Sequence, residues 1–236
     1  MRTETRRQLK HDRFAETVAD QYSWVVEHRT KLTYGGIALA IVAAIVIGGW
    51  AYNNRRNTEA GFELGKAMEV YSAPVRPAGM PASPEMLTFA SSEERAKTAH
   101  AEFEKIANEY SHTESGAMAR YFAAVTAKAM NDPTLAETEF KQAASSGSKD
   151  LASLANLALA GLYADTGKDA QAIEIYKQLM EHPTETVAKS TAQLKLAELY
   201  QDKQPQEAVK LYQQIQKDYP DTVAAQVAAR NLQPQQ

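Results

Sequence analysis

The chain has 236 residues, with 26 Lys and Arg against 29 Asp and Glu, and contains no cysteine. The absence of cysteine excludes disulfide bonds, thiolate metal sites and cysteine catalysis, but it is compatible with either a reducing or an oxidising compartment. Seven of the basic and five of the acidic residues lie in residues 1–31, so the rest of the chain is net acidic. Nucleic-acid binding is therefore not expected, because no basic excess remains to neutralise a phosphate backbone.

The first predicted element is a polar amino-terminal tail, residues 1–31. Phe14, Val18 and Tyr22 recur at helical spacing in it, with charged residues elsewhere on the circumference. This pattern predicts a short amphipathic helix. Two interpretations remain open: the helix lies against lipid headgroups, or it is a docking site for a partner.

An apolar run without any charged residue follows, residues 32–52. A helix of this length rises about 30 Å, the thickness of a bilayer's hydrocarbon core, and aromatic residues stand at both ends, as at membrane interfaces. We predict a transmembrane helix. A buried core helix is disfavoured because no polar face is present. A signal cleaved after Ala51 remains an alternative, although the run is longer than a typical signal's apolar region.

The basic residues of the whole tail predict that the tail is cytoplasmic and that the large carboxy-terminal domain lies across the membrane. After the anchor, residues 53–72 have the pattern of a membrane-proximal helix. Residues 73–92 then contain Pro74, Pro77, Pro81 and Pro84. Because proline removes a backbone donor and disfavours helix before it, this segment is predicted to be a spacer.

Residues 93–236 repeat. Four words carry alanine followed four residues later by an aromatic residue: AHAEF, AETEF, AIEIY and AVKLY, which begin at Ala99, Ala136, Ala172 and Ala208. The intervals are 37, 36 and 36 residues. A period in this range is typical of a helical solenoid, in which each repeat is a helix pair stacked on its neighbours. The sequence therefore predicts an all-α protein with a solenoid of about 3–4 helix pairs.

These repeats resemble the tetratricopeptide repeat family. The middle repeat carries the signature at Asn156, Leu159, Ala160, Tyr163, Gly167, Ala172, Tyr176 and Leu179. The third carries it at Gln193, Leu196, Ala197, Tyr200, Ala208, Tyr212, Ile215 and Pro220. A weaker first copy runs from Ala124 to Ala143, and FEKIANEY supplies one helix of a more divergent copy whose partner is expected at 58–71. Asp221 to Leu232 is expected to be a capping helix.

The resemblance implies that the first helix of each pair lines a concave groove. The candidate groove residues are Met118, Tyr121, Val125, Lys128, Leu154, Leu157, Thr191, Leu194 and Glu198. Leu157 and Leu194 stand where the carboxylate clamp of some family members needs polar residues, so that activity is not expected. An apolar groove suits an amphipathic helix or an unfolded hydrophobic segment. In the alternative interpretation, these residues pack against the chain's own helices, including 58–71.

Catalytic and cofactor motifs are weak. Ser146 and Lys149 match a Ser-x-x-Lys spacing, but the companion motifs are missing and the segment falls at an inter-helix turn. The five histidines show no metal-ligand spacing, and no glycine-rich phosphate loop occurs. We therefore expect no enzyme activity, no cofactor and no metal.

The order of tail, anchor and repeat domain resembles the YfgM-type ancillary subunits of the bacterial SecYEG translocon. The resemblance rests on RFAETVADQYSWVVEHRTKLTYGG, the anchor, and YNNRRNTEAGFELGKAM. It implies a single-pass inner-membrane protein with a periplasmic repeat domain. Its implied partners are membrane lipid, the translocon, periplasmic chaperones and emerging exported chains. The proline-rich segment departs from that family.

Two alternatives remain. KDYPDTVAAQVAARNL resembles repeats of periplasmic scaffolds for envelope assembly or cell division, which are secreted with a cleaved signal. A membrane-anchored subunit that recruits a catalytic partner is the other alternative.

Overall fold

The computed structural model describes residues 29–81 and 86–233; the expected tail helix, within residues 1–28, and Pro84 lie outside these ranges. Within them the chain forms nine α-helices and no β-strand, which confirms the predicted all-α class. The helices are α1 Arg29–Ser72, α2 Ser92–Glu109, α3 Glu114–Ala129, α4 Pro133–Ala144, α5 Lys149–Asp165, α6 Asp169–Glu181, α7 Lys189–Tyr200, α8 Pro205–Asp218 and α9 Val223–Leu232.

Helix α1 contains 44 residues without a break, so the expected anchor and the expected membrane-proximal helix form one element. Its apolar part is long enough and apolar enough to cross a membrane, and none of the most apolar window is buried against the rest of the chain. The chain divides into two compact units, residues 1–55 and residues 56–236. The first unit contains the apolar part of α1, and the second contains the end of α1 together with α2 to α9.

In the second unit, the end of α1 packs on α2 and α3. Ala60 and Ala67 share one buried cluster with Phe103 of α2, and the ring centroids of Tyr71 and Phe103 are 6.0 Å apart. Small residues on one helix let the large aromatic rings of the next approach closely. This packing confirms the expected pairing of segment 58–71 with the FEKIANEY helix.

The proline-rich connection between α1 and α2 is tied together at its two ends. The Arg76 backbone N–H donates to the Phe89 carbonyl at 2.9 Å, and the Phe89 N–H donates to the Pro74 carbonyl at 3.1 Å. Arg95, on α2, donates from Nη1 to the Ala73 carbonyl at 3.0 Å. The prolines prevent this segment from forming a helix, so its backbone N–H and C=O groups have no helical partners. These bonds satisfy some of those groups.

The remaining helices stack as pairs. Each of α3 to α9 contacts the helix before it, and α3 also contacts α5, α5 contacts α7, and α7 contacts α9. The first helices of successive pairs therefore lie side by side in one layer. Ala124, Ala160 and Ala172 are fully buried between the layers, where they let Phe140 and Tyr176 fill the core.

A nearly buried ion pair links α3 and α4. Arg120 donates from Nη1 to Glu139 Oε2 at 3.2 Å and from Nη2 to Asn108 Oδ1, on α2, at 2.7 Å. The side chains of Arg120 and Glu139 are 16% and 5% exposed. Because both side chains are largely removed from water, each charge is stabilised by the other. Together with the Arg120–Asn108 hydrogen bond, this pair holds α2, α3 and α4 in position.

Candidate binding groove of the repeat domain

A groove of about 540 Å³ lies along the layer of first helices, lined by α3, α5 and α7, with one residue from α6. Five of the nine candidate residues from the sequence line it: Tyr121, Lys128, Leu154, Leu157 and Glu198. The other lining residues are Ala158, Gly161, Ala164 and Asp165 of α5, Tyr176 of α6, and Lys195 and Leu199 of α7. Segment 58–71 contributes nothing to this lining, because it packs on α2 and α3.

Met118, Val125, Thr191 and Leu194 lie outside this lining. Leu194 is only 9% exposed and belongs to a buried cluster with Tyr212 and Ala225. Helix α9 packs on α7 and contributes Ala225 to that cluster. The face of the first helix that lines the groove at Leu157 in the middle repeat is therefore covered by α9 at the equivalent Leu194 in the last repeat.

Small residues form the floor of the groove. Ala158, Gly161 and Ala164 follow one another at a spacing of three along α5, so they lie on one face of the helix. A Cβ atom at Gly161 would lie 4.0 Å from the hydroxyl oxygen of Tyr176. The missing side chain at Gly161 therefore opens the floor toward this phenol, which belongs to the second helix of the pair.

From the sequence, Tyr176 is identified only as a signature residue of the middle repeat, and its place in the groove was not predicted. The ring does lie in the core, since Tyr176 is 2% exposed. The available signal was Gly161, a glycine inside a helix at a position one turn from Leu157. Glycine in a helix interior is unfavourable by about 1 kcal/mol relative to alanine, so it indicates a special requirement.

The charged side chains of the groove are paired. Lys128 Nζ lies 2.6 Å from Asp165 Oδ2, and this contact joins α3 to α5. Lys195 Nζ lies 2.7 Å from Glu198 Oε2 on the same helix. Since each ammonium faces a carboxylate, these four residues add no net charge to the groove.

Two phenols in the groove remain protonated at neutral pH. Burial, followed by the negative charges of Glu198 and Asp165, raises the pKa of Tyr176 to about 12. Burial also raises the pKa of Tyr121. Both hydroxyls are therefore neutral and able to donate a hydrogen bond.

The Ser-x-x-Lys segment has a structural role. The Ser146 hydroxyl donates to the Ser148 carbonyl at 3.4 Å, and the Ser148 side chain accepts from the Leu151 backbone N–H at the start of α5. This is the inter-helix turn that the sequence indicated. In residues 29–81 and 86–233, no group of three or more His, Asp or Glu side chains is arranged to hold a metal ion.

Comparisons with known proteins agree with this helix-pair architecture. The family model described as a tetratricopeptide repeat-like domain matches residues 22–195, and a tetratricopeptide repeat model matches residues 191–222. No curated protein and no solved structure matches the chain. Proteins with such repeats are interaction scaffolds, which supports protein partners in general. Because the first model spans well over half of the sequence, the chain belongs to the tetratricopeptide repeat-like domain family.

Proposed function

We propose that this protein is a membrane-anchored interaction protein that holds apolar segments of exported polypeptides in its groove on the periplasmic face of the bacterial inner membrane. The Sec translocon and periplasmic chaperones are its partners in this proposal. The observation that carries it is the groove itself, with an apolar floor along α5 and paired charges at its sides. We propose no catalytic activity.

The chemistry of the groove favours a polypeptide with apolar side chains. Leu154, Leu157 and Leu199 offer apolar surface, and burial of such surface contributes about 25 cal/mol per Å² removed from water. A strongly charged ligand would have to compete with the Lys128–Asp165 and Lys195–Glu198 pairs. A groove between helices is a common binding site for an apolar peptide segment.

The proposed location follows from α1. Its apolar part can cross a bilayer, and a retained anchor would raise the local concentration of the repeat domain near a membrane partner. The balance of Lys and Arg in the tail supports a cytoplasmic amino terminus. The translocon is proposed as the partner because tail, anchor and the segment 52–68 together resemble its ancillary subunits.

Site-specific photo-cross-linking in living cells tests the proposal. A photoreactive residue in place of Leu157, in the groove, should capture exported chains, a periplasmic chaperone or a translocon component. A matched residue in place of Val209, which is 41% exposed on α8 and outside the groove, is the control. The proposal is wrong if Leu157 captures none of these partners, or captures them no better than Val209.

The alternative function is a periplasmic scaffold released by cleavage after Ala51. KDYPDTVAAQVAARNL, on which it rests, forms the end of α8 and all of α9. Ala51 and Tyr52 lie inside the continuous helix α1, which favours the retained anchor. Determination of the amino terminus of the mature protein separates the two. A protein that begins at Tyr52 would exclude the anchored function.

A further inference from the structure

Four residues occupy equivalent positions in the repeats: Phe103, Phe140, Tyr176 and Tyr212, each four residues after an alanine. All four rings are buried, with exposures of 0, 1, 2 and 1%. Two of the four positions hold phenylalanine, so the core does not require a hydroxyl here. The hydroxyl groups of Tyr176 and Tyr212 therefore need a separate explanation.

The hydroxyl of Tyr212 has two partners inside the protein. It donates to Gln201 Oε1 at 3.2 Å and accepts from Asn231 Nδ2 at 3.1 Å. These bonds join α8 to the end of α7 and to α9. The hydroxyl of Tyr212 therefore has a structural role, because its two hydrogen bonds stabilise the last repeat.

The hydroxyl of Tyr176 has no hydrogen-bond partner among the residues that the structure describes. Tyr176 lines the groove, and its hydroxyl lies beneath the space that a side chain at Gly161 would occupy. The lysines nearby are already paired with carboxylates. The groove therefore presents a neutral donor without an internal partner, next to Gly161 in the floor and within the electrostatic influence of Glu198 and Asp165.

This donor restricts what can bind. An apolar segment that covers the hydroxyl removes it from water, and a buried donor without a partner costs about 1–3 kcal/mol. A ligand that supplies an acceptor avoids this cost. In an α-helix most main-chain carbonyls are already bonded within the helix, whereas those of an extended chain are free.

We propose that the Tyr176 hydroxyl donates a hydrogen bond to a main-chain carbonyl of an extended, apolar polypeptide segment bound in the groove. This inference rests on the proposed function and adds a specificity-determining residue to it. Main-chain recognition is independent of side-chain identity. It suits a protein that binds many exported sequences, with the leucines of the groove selecting apolar side chains.

The test uses the full-length protein in lipid nanodiscs and a fluorescein-labelled decapeptide of alternating leucine and serine, blocked at both ends. Tyr176→Phe keeps the ring and removes only the hydroxyl. We expect its Kd for this peptide to rise about three- to tenfold, the loss of one hydrogen bond. Fluorescence anisotropy measures the Kd, and empty nanodiscs correct for partition into lipid.

Tyr212→Phe is the matched control. It removes an equivalent hydroxyl whose partners are internal, so the Kd should stay unchanged while the urea midpoint of unfolding falls. Tyr176→Phe should leave that midpoint unchanged, because no internal bond is lost. An equal Kd for wild type and Tyr176→Phe would overturn the inference and leave the proposed function standing.

Two further experiments test the proposed function and the inference. Gly161→Leu covers the phenol and fills the groove, so it should abolish binding; a wild-type Kd for this variant, or no binding by the wild type, would overturn both. A second pair of peptides carries one Lys and one Glu four residues apart, with or without the lactam bridge that holds a helix. The lactam-stapled, helical peptide should bind more weakly than its unbridged counterpart and be insensitive to Tyr176→Phe. An equal loss for the stapled peptide would overturn the assignment to an extended segment.

Discussion

Glu137, on α4, contacts α5 and the N-cap residue of α6 through one carboxylate. From α4 it accepts hydrogen bonds from Lys141 Nζ at 2.7 Å, Lys168 Nζ at 2.6 Å and the Tyr163 hydroxyl at 3.0 Å. Lys141 and Lys168, followed by Tyr163, lower the pKa of Glu137 to about 2. All three donors favour the ionised form of the carboxyl group, so the stability of this junction depends on pH.

We predict that Glu137→Gln lowers the free energy of unfolding by about 1 kcal/mol at pH 7, because the pairs are partly solvated. Since folding lowers the pKa, the contribution is fully present above about pH 4.5 and is lost as the pH falls toward about 2. Urea denaturation should therefore show a difference between wild type and variant at pH 7 that shrinks at pH 3.

Glu181→Gln, at the exposed end of α6, is the matched control and should change the urea midpoint little at either pH. A difference between wild type and Glu137→Gln that is as large at pH 3 as at pH 7 would contradict the electrostatic explanation.

At the scale of the helix pair, the turn between α2 and α3 depends on Gly116. A Cβ atom there would lie 2.0 Å from the Tyr110 carbonyl oxygen, far inside van der Waals contact. That carbonyl already accepts from the Thr113 N–H at 2.9 Å, and the Thr113 side chain accepts from the Gly116 N–H at 3.0 Å. These bonds hold the carbonyl in place, so the turn has little room to adjust.

We predict that Gly116→Ala lowers the free energy of unfolding by about 2 kcal/mol or more, through overpacking against the Tyr110 carbonyl. Gly161→Ala is the matched control, because its new Cβ would be at ordinary contact distance. It should raise stability by about 0.5–1 kcal/mol through helix propensity. Thermal unfolding followed by circular dichroism compares the two, and equal melting temperatures would show that the close approach is unimportant.

At the scale of the whole molecule, the chain combines two units of different composition. The unit of residues 1–55 contains the apolar part of α1, whose large side chains, such as Ile41 and Ile45, are more than half exposed. The unit of residues 56–236 packs many of its apolar side chains in buried clusters between helices. A helix that exposes apolar side chains over about the thickness of a bilayer is favoured in lipid, because contact of these side chains with water is unfavourable.

We predict that the double substitution Ile41→Arg and Ile45→Arg prevents membrane integration, since each arginine near the helix centre costs about 2.5–3.5 kcal/mol on insertion scales. The variant should move from the membrane pellet to the supernatant after alkaline carbonate extraction. Ile41→Leu with Ile45→Leu, as the control, should remain in the pellet. Retention of the arginine variant in the pellet would show that α1 is not the anchor.

Much of this architecture is readable from local periodicity. The Ala-x-x-x-aromatic words recur at 36 or 37 residues, a period that predicted helix pairs, and their alanines Ala136, Ala172 and Ala208 are all buried within helices. Helix formation, the number of repeats and the apolar run of α1 all depend on residues that are close together in the chain. For that reason the sequence by itself determined the all-α class and the helix pairs.

Only the tertiary structure decided which predicted faces stay open. Leu157 and Leu194 are equivalent in sequence, yet Leu194 is buried in a cluster to which α9 contributes. Tyr176 and Tyr212 are equivalent too, yet one hydroxyl meets the groove beneath Gly161 and the other is bonded internally. The physical reason is that exposure and hydrogen bonding depend on which atoms distant in the chain are packed nearby, and a residue's own repeat position carries no information about them.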